Sequence, residues 1–194
     1  IEEGDERYEG VYVNRFLSSS FTPGSVFKTI TLTAALENLP DLSSRSFHCD
    51  GSTTVGGEEI TCLYAHGDMD IADALASSCN GVFAQLAVEL GEETMSRYVE
   101  KAGMLDSYSV SGISTAKGSY GLTGASTSQL GWSGVGQYND LVNPCAVMVW
   151  MGAIGNGGKA AVPYLVLKTE GGLPLPSLPH LTRHTDTLIQ KDTA

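Results

Sequence analysis

Basic residues are scarce in this chain of 194 residues: 11 Lys and Arg face 22 Asp and Glu, which gives a formal net charge of −11. Proteins that hold nucleic acid cluster Lys and Arg against the phosphates, and proteins that bind anionic membrane surfaces carry basic patches. The composition therefore argues against nucleic acid and against an anionic lipid surface as partners.

Long hydrophobic runs are also missing. The longest apolar run, residues 145–154, is about half the roughly 18–20 residues that cross a bilayer, and it predicts a core helix. The chain shows no signal peptide and starts with Ile1 rather than Met, so we expect a processed product or a piece of a longer chain. The sequence contains no internal repeat, no P-loop and no histidine pair at a metal-ligand spacing such as H-E-x-x-H.

What the chain does contain is a hydrophobic fraction of 42% and 23 glycines, which together indicate a globular chain with many turns. Apolar periodicity and capping residues predict helices at 25–39, 71–76, 80–90, 92–102, 144–154 and 185–194. Short strands are predicted at 8–13, 53–55, 59–63 and 162–167. Residues 106–137 lack periodicity and read as a long irregular surface segment.

The cysteines leave several interpretations open. Cys49 and Cys62 bracket a glycine-rich stretch and read either as two buried thiols or, in an oxidising compartment, as a disulfide across a hairpin. A zinc site with His48 and His66 is a further interpretation, although the C-x₂₋₄-C spacing of structural zinc sites is absent. Cys79 reads as a small buried side chain.

Ser25 and Lys28 form an S-x-x-K pattern at the start of a predicted helix. Residues three apart share one helix face, and the first turn offers unpaired N–H groups and the positive end of the helix dipole. A lysine that is partly buried there can lose its proton and act as a base toward the serine hydroxyl. The alternative is a capping serine followed by a solvated lysine.

Ser78-Cys79-Asn80 lies at the junction of two predicted helices. On a tight turn, Ser78 and Asn80 can both point into a cleft, where the serine relays a proton and the asparagine binds an amide. Taken alone, an N-cap asparagine for the following helix is the better explanation of this triplet.

Together these stretches resemble the penicillin-binding protein transpeptidases, in order and at plausible spacing over residues 14–166. The stretches that carry the resemblance are Asn14-Arg15-Phe16, Phe21-Thr22-Pro23-Gly24-Ser25-Val26-Phe27-Lys28, His66-Gly67 and Ala74-Leu75 ahead of Ser78-Cys79-Asn80, Gly136-Gln137, Asn143-Pro144, Asn156-Gly157-Gly158-Lys159 and Pro163-Tyr164-Leu165-Val166.

The resemblance implies the α+β class and a penicillin-binding transpeptidase/β-lactamase-like fold over residues 1–194, mainly its helical part, with an incomplete central antiparallel sheet. The family's third motif, K-T-G or K-S-G, does not occur in the chain: Lys168-Thr169 is followed by Glu170. We therefore expect the chain to stop before that motif and to lack the family's N-terminal strands; the alternative is a degenerate member of the family. Such a chain lacks one oxyanion donor, and we expect it to be inactive in turnover by itself.

The function implied is acyl transfer on peptidoglycan stem peptides, with Ser25 as nucleophile, Lys28 as base, Ser78 as proton relay, and Asn80, Gly136 and Gln137 at the substrate. β-Lactams would acylate Ser25, and no cofactor or metal is implied. The family works outside the cytoplasmic membrane on an anchor, alongside other cell-wall synthesis proteins. The rivals are a non-catalytic module or β-lactam sensor, and a serine β-lactamase, for which the E-x-x-x-N pattern of one such class is absent.

Overall fold

The computed structural model describes residues 13–166 and 182–194, and the class is α+β as predicted. The helices are α1 (Arg15–Ser18), α2 (Lys28–Asn38), α3 (Ile71–Ala76), α4 (Asn80–Lys101), α5 (Thr127–Gly134) and α6 (Pro144–Ile154), with single 3₁₀ turns at Gly24–Phe27 and Leu42–Ser44. The strands are β1 (Phe47–Cys49), β2 (Ser52–Val55), β3 (Glu58–Thr61), β4 (Gly67–Met69), β5 (Ser109–Val110) and β6 (Ile113–Ser114).

The strands form three separate two-stranded antiparallel sheets, β1 with β4, β2 with β3 and β5 with β6. The hairpin of β2 and β3 confirms the prediction for 53–55 and 59–63, and it pairs Thr53 with Ile60. Within the two described ranges no larger sheet joins these pairs.

Local capping explains where most helices begin. Asp70 accepts a hydrogen bond from the Asp73 N–H at 2.8 Å and starts α3, while Asn143 accepts from the Cys145 N–H at 3.0 Å and starts α6. Pro144 then occupies the first position of α6, where its missing N–H costs nothing. The starts of both helices agree with the sequence prediction.

Helix α4 is broken at Gly91, whose φ of 80° and ψ of 165° are not helical. The sequence predicts two helices there, with Gly91 ending the first, and the structure confirms this break. In the first part, Val82, Phe83 and Leu86 are fully buried.

Two hydrophobic cores flank α2. One face of the helix, with Ile30 and Ala34, packs into a core with α6 and the second half of α4. Ala35 faces a second core, which α3, the first half of α4 and the strands β1 to β4 build. The start of α2 is therefore held from both sides.

Two predictions are wrong because tertiary contacts override the local pattern. Residues 127–134 form α5 within the segment predicted to be irregular. Residues 185–194 form no helix, because their backbone pairs with the chain after α6: the Thr185 N–H donates to Ala160 O at 2.9 Å and the Leu188 N–H to Gly158 O at 2.9 Å.

Residues 162–166 do not form the strand predicted at 162–167. An isolated antiparallel bridge lies just before them, between Ala161 and His184. Leu167 and most of the strand predicted at 8–13 lie outside the described residues. None of the helices in the described ranges is both long and apolar enough to cross a membrane.

Candidate active site

Ser25 lies in the 3₁₀ turn that leads directly into α2, exposed at the bottom of a cleft. The turn starts at Gly24, whose φ of 58° is in the left-handed region that favours glycine. The Gly24 N–H donates to Gly136 O at 3.0 Å, which fixes the turn to the segment after α5. The predicted position of Ser25 at a helix start is therefore confirmed.

Lys28 is the first residue of α2, and only 1% of its surface is exposed. Its Nζ lies 3.3 Å from Ser25 Oγ, 2.7 Å from Ser78 Oγ, 2.6 Å from Ser78 O and 2.7 Å from Asn80 Oδ1. Every one of these acceptors is uncharged, so no carboxylate among them holds the proton on the amine.

Burial lowers the pKa of Lys28 from its ordinary value to about 8, because the charged form loses its hydration; the nearby thiols of Cys62 and Cys79 partly oppose this shift. A pKa of about 8 leaves an appreciable fraction of neutral amine near neutral pH. The base that the sequence analysis assigned to Lys28 is therefore chemically available.

Ser78 ends the turn between α3 and α4, with a φ of 56° that is uncommon for a residue with a side chain. Two backbone hydrogen bonds back to α3 hold this turn, from the Ser78 N–H to Leu75 O and from the Cys79 N–H to Ala74 O. As a result Ser78 Oγ donates to Ser25 Oγ at 2.9 Å, the juxtaposition that the sequence analysis predicts.

Asn80 is the first residue of α4, and both ends of its amide are occupied. Nδ2 donates to Thr61 O at 2.7 Å, and Oδ1 accepts from Lys28 Nζ. This arrangement orients the amide and leaves the second Nδ2 proton for a ligand in the cleft. Thr61, at the end of β3, is a site residue that no sequence signal indicates, because it acts through its backbone carbonyl.

Gly136 and Gln137 follow α5 on the opposite wall. Gly136 has a φ of 76°, and a Cβ at this position would lie 2.7 Å from the Cβ of Phe27, so the close packing against the Ser25 turn requires glycine. Gln137 is exposed beside Gly24 and lines a cleft of about 270 Å³ that also contains Ser25, Asn80 and Trp132.

The segment after β3 forms the outer rim of this cleft. Leu63 is 99% exposed and Tyr64 62% exposed. Leu63 lines the cleft itself, and both residues line a second opening of about 110 Å³ over Ser78. Sequence reasoning did not identify this rim, because a short apolar pair between strands carries no local signal of a cleft.

The disulfide between Cys49 and Cys62 is not formed in the structure: the two Sγ atoms lie 3.8 Å apart and both thiols are free. Nor do the two residues lie on adjacent strands of one hairpin. Cys49 ends β1, which pairs with β4, whereas Cys62 follows β3, which pairs with β2. Burial by itself would raise the pKa of Cys49, but hydrogen bonds led by those from the backbone N–H groups of Gly51 and His66 outweigh it and lower the pKa to about 7.

Known proteins match this chain along most of its length. The family model described as "Penicillin binding protein transpeptidase domain" matches residues 2–193. A curated relative, the peptidoglycan D,D-transpeptidase PbpA of Mycobacterium tuberculosis, is 28% identical over 170 residues, which are 81% of this chain and 33% of that protein.

Solved structures show the same fold. The D,D-transpeptidase domain of a peptidoglycan glycosyltransferase from Eggerthella lenta superposes with a TM-score of 0.84 at 23% identity, over 97% of this chain and 49% of that one. Penicillin-binding protein A of M. tuberculosis, as a ceftriaxone acyl-enzyme complex, gives a TM-score of 0.83 at 20% identity, over 96% and 44%. The chain thus spans about a third of the curated relative and less than half of each structure.

Proposed function

The chain belongs to the penicillin-binding protein transpeptidase family, and from that membership we propose that it serves as a serine D,D-transpeptidase acting on peptidoglycan stem peptides, with Ser25 as the nucleophile. The observation that carries this proposal is the hydrogen-bonded set around Ser25 Oγ, with Ser78 Oγ at 2.9 Å and Lys28 Nζ at 3.3 Å. Acyl transfer requires a nucleophile, a base that can take its proton and a group that can relay the proton. Ser25 at the start of α2, Lys28 with its lowered pKa and the Ser78 hydroxyl fill these roles.

The first half-reaction forms an acyl-enzyme. Neutral Lys28 takes the Ser25 proton, directly or through Ser78, as Oγ attacks the carbonyl carbon of the D-Ala-D-Ala amide. The Ser25 N–H, at the first turn, donates to the oxygen that becomes negative. The same proton then passes to the amide nitrogen, and D-alanine leaves as an amine while Ser25 keeps the acyl group as an ester.

The second half-reaction consumes the ester. An amine from another stem peptide attacks the carbonyl, gives up its proton to the Lys28–Ser78 pair, and the proton returns to Ser25 Oγ as the ester bond breaks. The position of Lys28 between Ser25, Ser78 and Asn80 allows it to serve as base and as acid in turn.

Residues on the two walls of the cleft orient the substrate. The second Nδ2 proton of Asn80 is available for a carbonyl of the stem peptide, and the exposed amide of Gln137 lies across the cleft from it. Gly136 contributes by holding the Ser25 turn through its carbonyl. By its family the protein would work outside the cytoplasmic membrane, where its polymeric substrate is.

A β-lactam is the direct probe, because it would acylate Ser25 as a substrate mimic. The expected result is covalent labelling of the purified protein by a fluorescent penicillin, with the label on the peptide that contains Ser25 by mass spectrometry. Ser25→Ala should abolish labelling. Ser44→Ala is the matched control, because Ser44 Oγ donates to Asp41 O and lies outside the hydrogen-bonded set and both openings of the cleft.

The stability of the label separates the rivals. A transpeptidase keeps the acyl group for long times, whereas a β-lactamase labels and releases it quickly. Because the chain lacks a K-T-G motif, labelling is also measured on a version extended through such a motif. A folded protein that labels in neither version, or one in which Ser25→Ala still labels, would contradict the proposal and favour a non-catalytic module.

A further inference from the structure

Three cysteines and a histidine meet directly behind the Ser78 turn. One ligand atom from each of Cys49, Cys62, His66 and Cys79 lies within 4.8 Å of every other; we term these four residues the Cys₃His cluster. They come from four places in the chain: the end of β1, the residue after β3, the residue before β4 and the residue before α4. Nothing in the proposed acyl transfer uses them.

The sulfur spacing matches a metal site better than a disulfide. Cys49 Sγ and Cys62 Sγ are 3.8 Å apart, and Cys62 Sγ and Cys79 Sγ are 3.9 Å apart. In a tetrahedral zinc site with Zn–S of about 2.3 Å, two sulfur ligands are about 3.8 Å apart. A disulfide would bring one pair to about 2.05 Å and leave the third sulfur alone.

His66 supplies a second, independent observation. Its Nδ1 is buried and accepts or donates no hydrogen bond within residues 13–166 and 182–194. Burying an unpaired ring nitrogen is costly, and coordination to a cation removes that cost. The backbone supports the arrangement as well, because the His66 N–H donates to Cys49 O at 3.0 Å and the Gly51 N–H to Cys49 Sγ at 3.4 Å.

We propose that the Cys₃His cluster binds one Zn²⁺ ion as a structural site with four protein ligands. Three thiolates and one neutral imidazole form a ligand set that zinc prefers, and four protein ligands leave no open position for a catalytic water. On binding, the three thiols release their protons to solvent, so the loaded centre carries a net charge of −1. No electron transfer is involved.

The site has a structural consequence for the neighbouring turn. Cys79 stands between Ser78 and Asn80, so the metal ties this turn to the strands β1 to β4. Ser78 holds an uncommon backbone conformation there, and a fixed neighbour helps to maintain it. The metal-binding proposal does not depend on the transpeptidase proposal, because it concerns only the ligand set.

The sequence signal for this site is partial. Cys62 and His66 are four residues apart, a usable local pair, but Cys49 and Cys79 are each 13 residues further away. The absent C-x₂₋₄-C spacing therefore argued against zinc, and only the pairing of β1 with β4 brings Cys49 to His66. His48, a zinc ligand in one interpretation of the sequence, is not part of the cluster, because its ring faces Asp50 and Asp68 on the surface.

Metal binding by the 194-residue chain tests the proposal. The protein is purified under reducing conditions, treated with a chelator and titrated with Zn²⁺ alone or Co²⁺ alone. The expected result is one bound metal per chain by elemental analysis, and a thiolate-to-cobalt charge-transfer band with the intense visible bands of tetrahedral Co²⁺. Zn²⁺ should also raise the midpoint of thermal unfolding in a concentration-dependent way.

Matched variants separate ligation from general effects. Cys62→Ser and His66→Gln should each lower Zn²⁺ affinity by at least about 10-fold and weaken the cobalt spectrum. Cys145→Ala and His48→Gln should bind as the parent does, because Cys145 lies in α6 and His48 on the surface, both outside the cluster. Three results would each overturn the proposal. They are reduced parent protein that takes up no Zn²⁺, a cobalt spectrum without a thiolate band, and a loss of Zn²⁺ affinity in the control variants equal to that in the ligand variants.

Discussion

At the scale of single residues, Lys28 has more hydrogen-bond acceptors than its ammonium has protons. An ammonium donates three hydrogen bonds, but four acceptors surround Nζ. The three shortest, at 2.6 to 2.7 Å, go to Ser78 and Asn80, and the longest, at 3.3 Å, goes to Ser25. When the amine loses a proton, its lone pair can therefore accept from the Ser25 hydroxyl with little movement.

This geometry predicts a pH dependence for acylation. Only the neutral form of Lys28 can accept the Ser25 proton, and burial lowers its pKa to about 8. The rate of penicillin labelling should therefore rise with pH and level off above about 8. Stopped-flow or quenched labelling across pH 6 to 9.5, roughly one to two pH units on either side of that pKa, measures it.

The control for this prediction is Lys28→Arg, because a guanidinium stays protonated over the whole range. We expect this variant to label at least about 10²-fold more slowly at every pH. A flat profile in the parent protein, or a rising one in Lys28→Arg, would show that Lys28 is not the base.

At the scale of helices and strands, the accuracy of the sequence analysis follows the range of the interactions. The starts of α3 and α6 are set by caps within three residues, so Asp70 and Asn143 predicted them. The contact between Ser25 and Ser78 joins residues 53 positions apart, and only the family resemblance gave it. The Cys₃His cluster depends on strand pairing that no local pattern encodes.

Helix α5 was missed because its residues are poor helix formers. Its sequence is Thr-Ser-Gln-Leu-Gly-Trp-Ser-Gly, and glycine costs about 1 kcal/mol relative to alanine in a helix. The capping box of Ser126 and Gln129 was the available local signal. The small residues have a packing role, because Gly131 and Gly134 let α5 lie directly on α4.

Gly134→Ala should destabilise the protein, although alanine favours helices. The new Cβ would meet the Cβ of Ala87 and lie 3.1 Å from Phe83 O, both on α4. We expect an overpacking cost of about 1–3 kcal/mol in the free energy of unfolding, measured by urea denaturation.

Gly152→Ala in α6 is the matched comparison. Its Cβ would make an ordinary contact with Ala160 Cβ at 3.5 Å. This substitution should stabilise the protein by about 0.5–1 kcal/mol, because only the helix propensity changes. Equal effects of the two substitutions would contradict the account of α5 packing.

At the scale of the whole molecule, the site lies where the two cores meet. Phe27, two residues after Ser25, belongs to the core with α6, and Cys79, next to Ser78, belongs to the core with β1 to β4. The distance between the two serines therefore depends on how the cores pack against each other along α2. Substitutions deep in either core should affect acylation through this distance.

The buried carboxyl of Asp140 makes the stability of the fold depend on pH. Asp140 is 1% exposed; its Oδ2 accepts from the Tyr138 N–H at 3.2 Å, while Oδ1 has no hydrogen-bond partner in the described ranges. Burial raises the pKa of Asp140 from its ordinary value to about 7. The folded state therefore holds this proton more tightly than the unfolded state does.

The stability of the whole molecule should consequently fall as pH rises through the range between the unfolded and the folded pKa of Asp140. A carboxyl with a raised pKa in the folded state contributes stability below its unfolded pKa, and this contribution is lost as pH rises through the folded value. Asp140→Asn removes the titration and keeps the shape of the side chain. From pH 5 to pH 8, the unfolding free energy of the parent should therefore fall by about 2–3 kcal/mol more than that of the variant. Urea denaturation of both proteins at the two pH values measures this difference, and the other titrating groups, including His48, cancel in the comparison because both proteins carry them. Parallel stability profiles would show that Asp140 is solvated or paired in solution, and that the buried position of its carboxyl is not maintained.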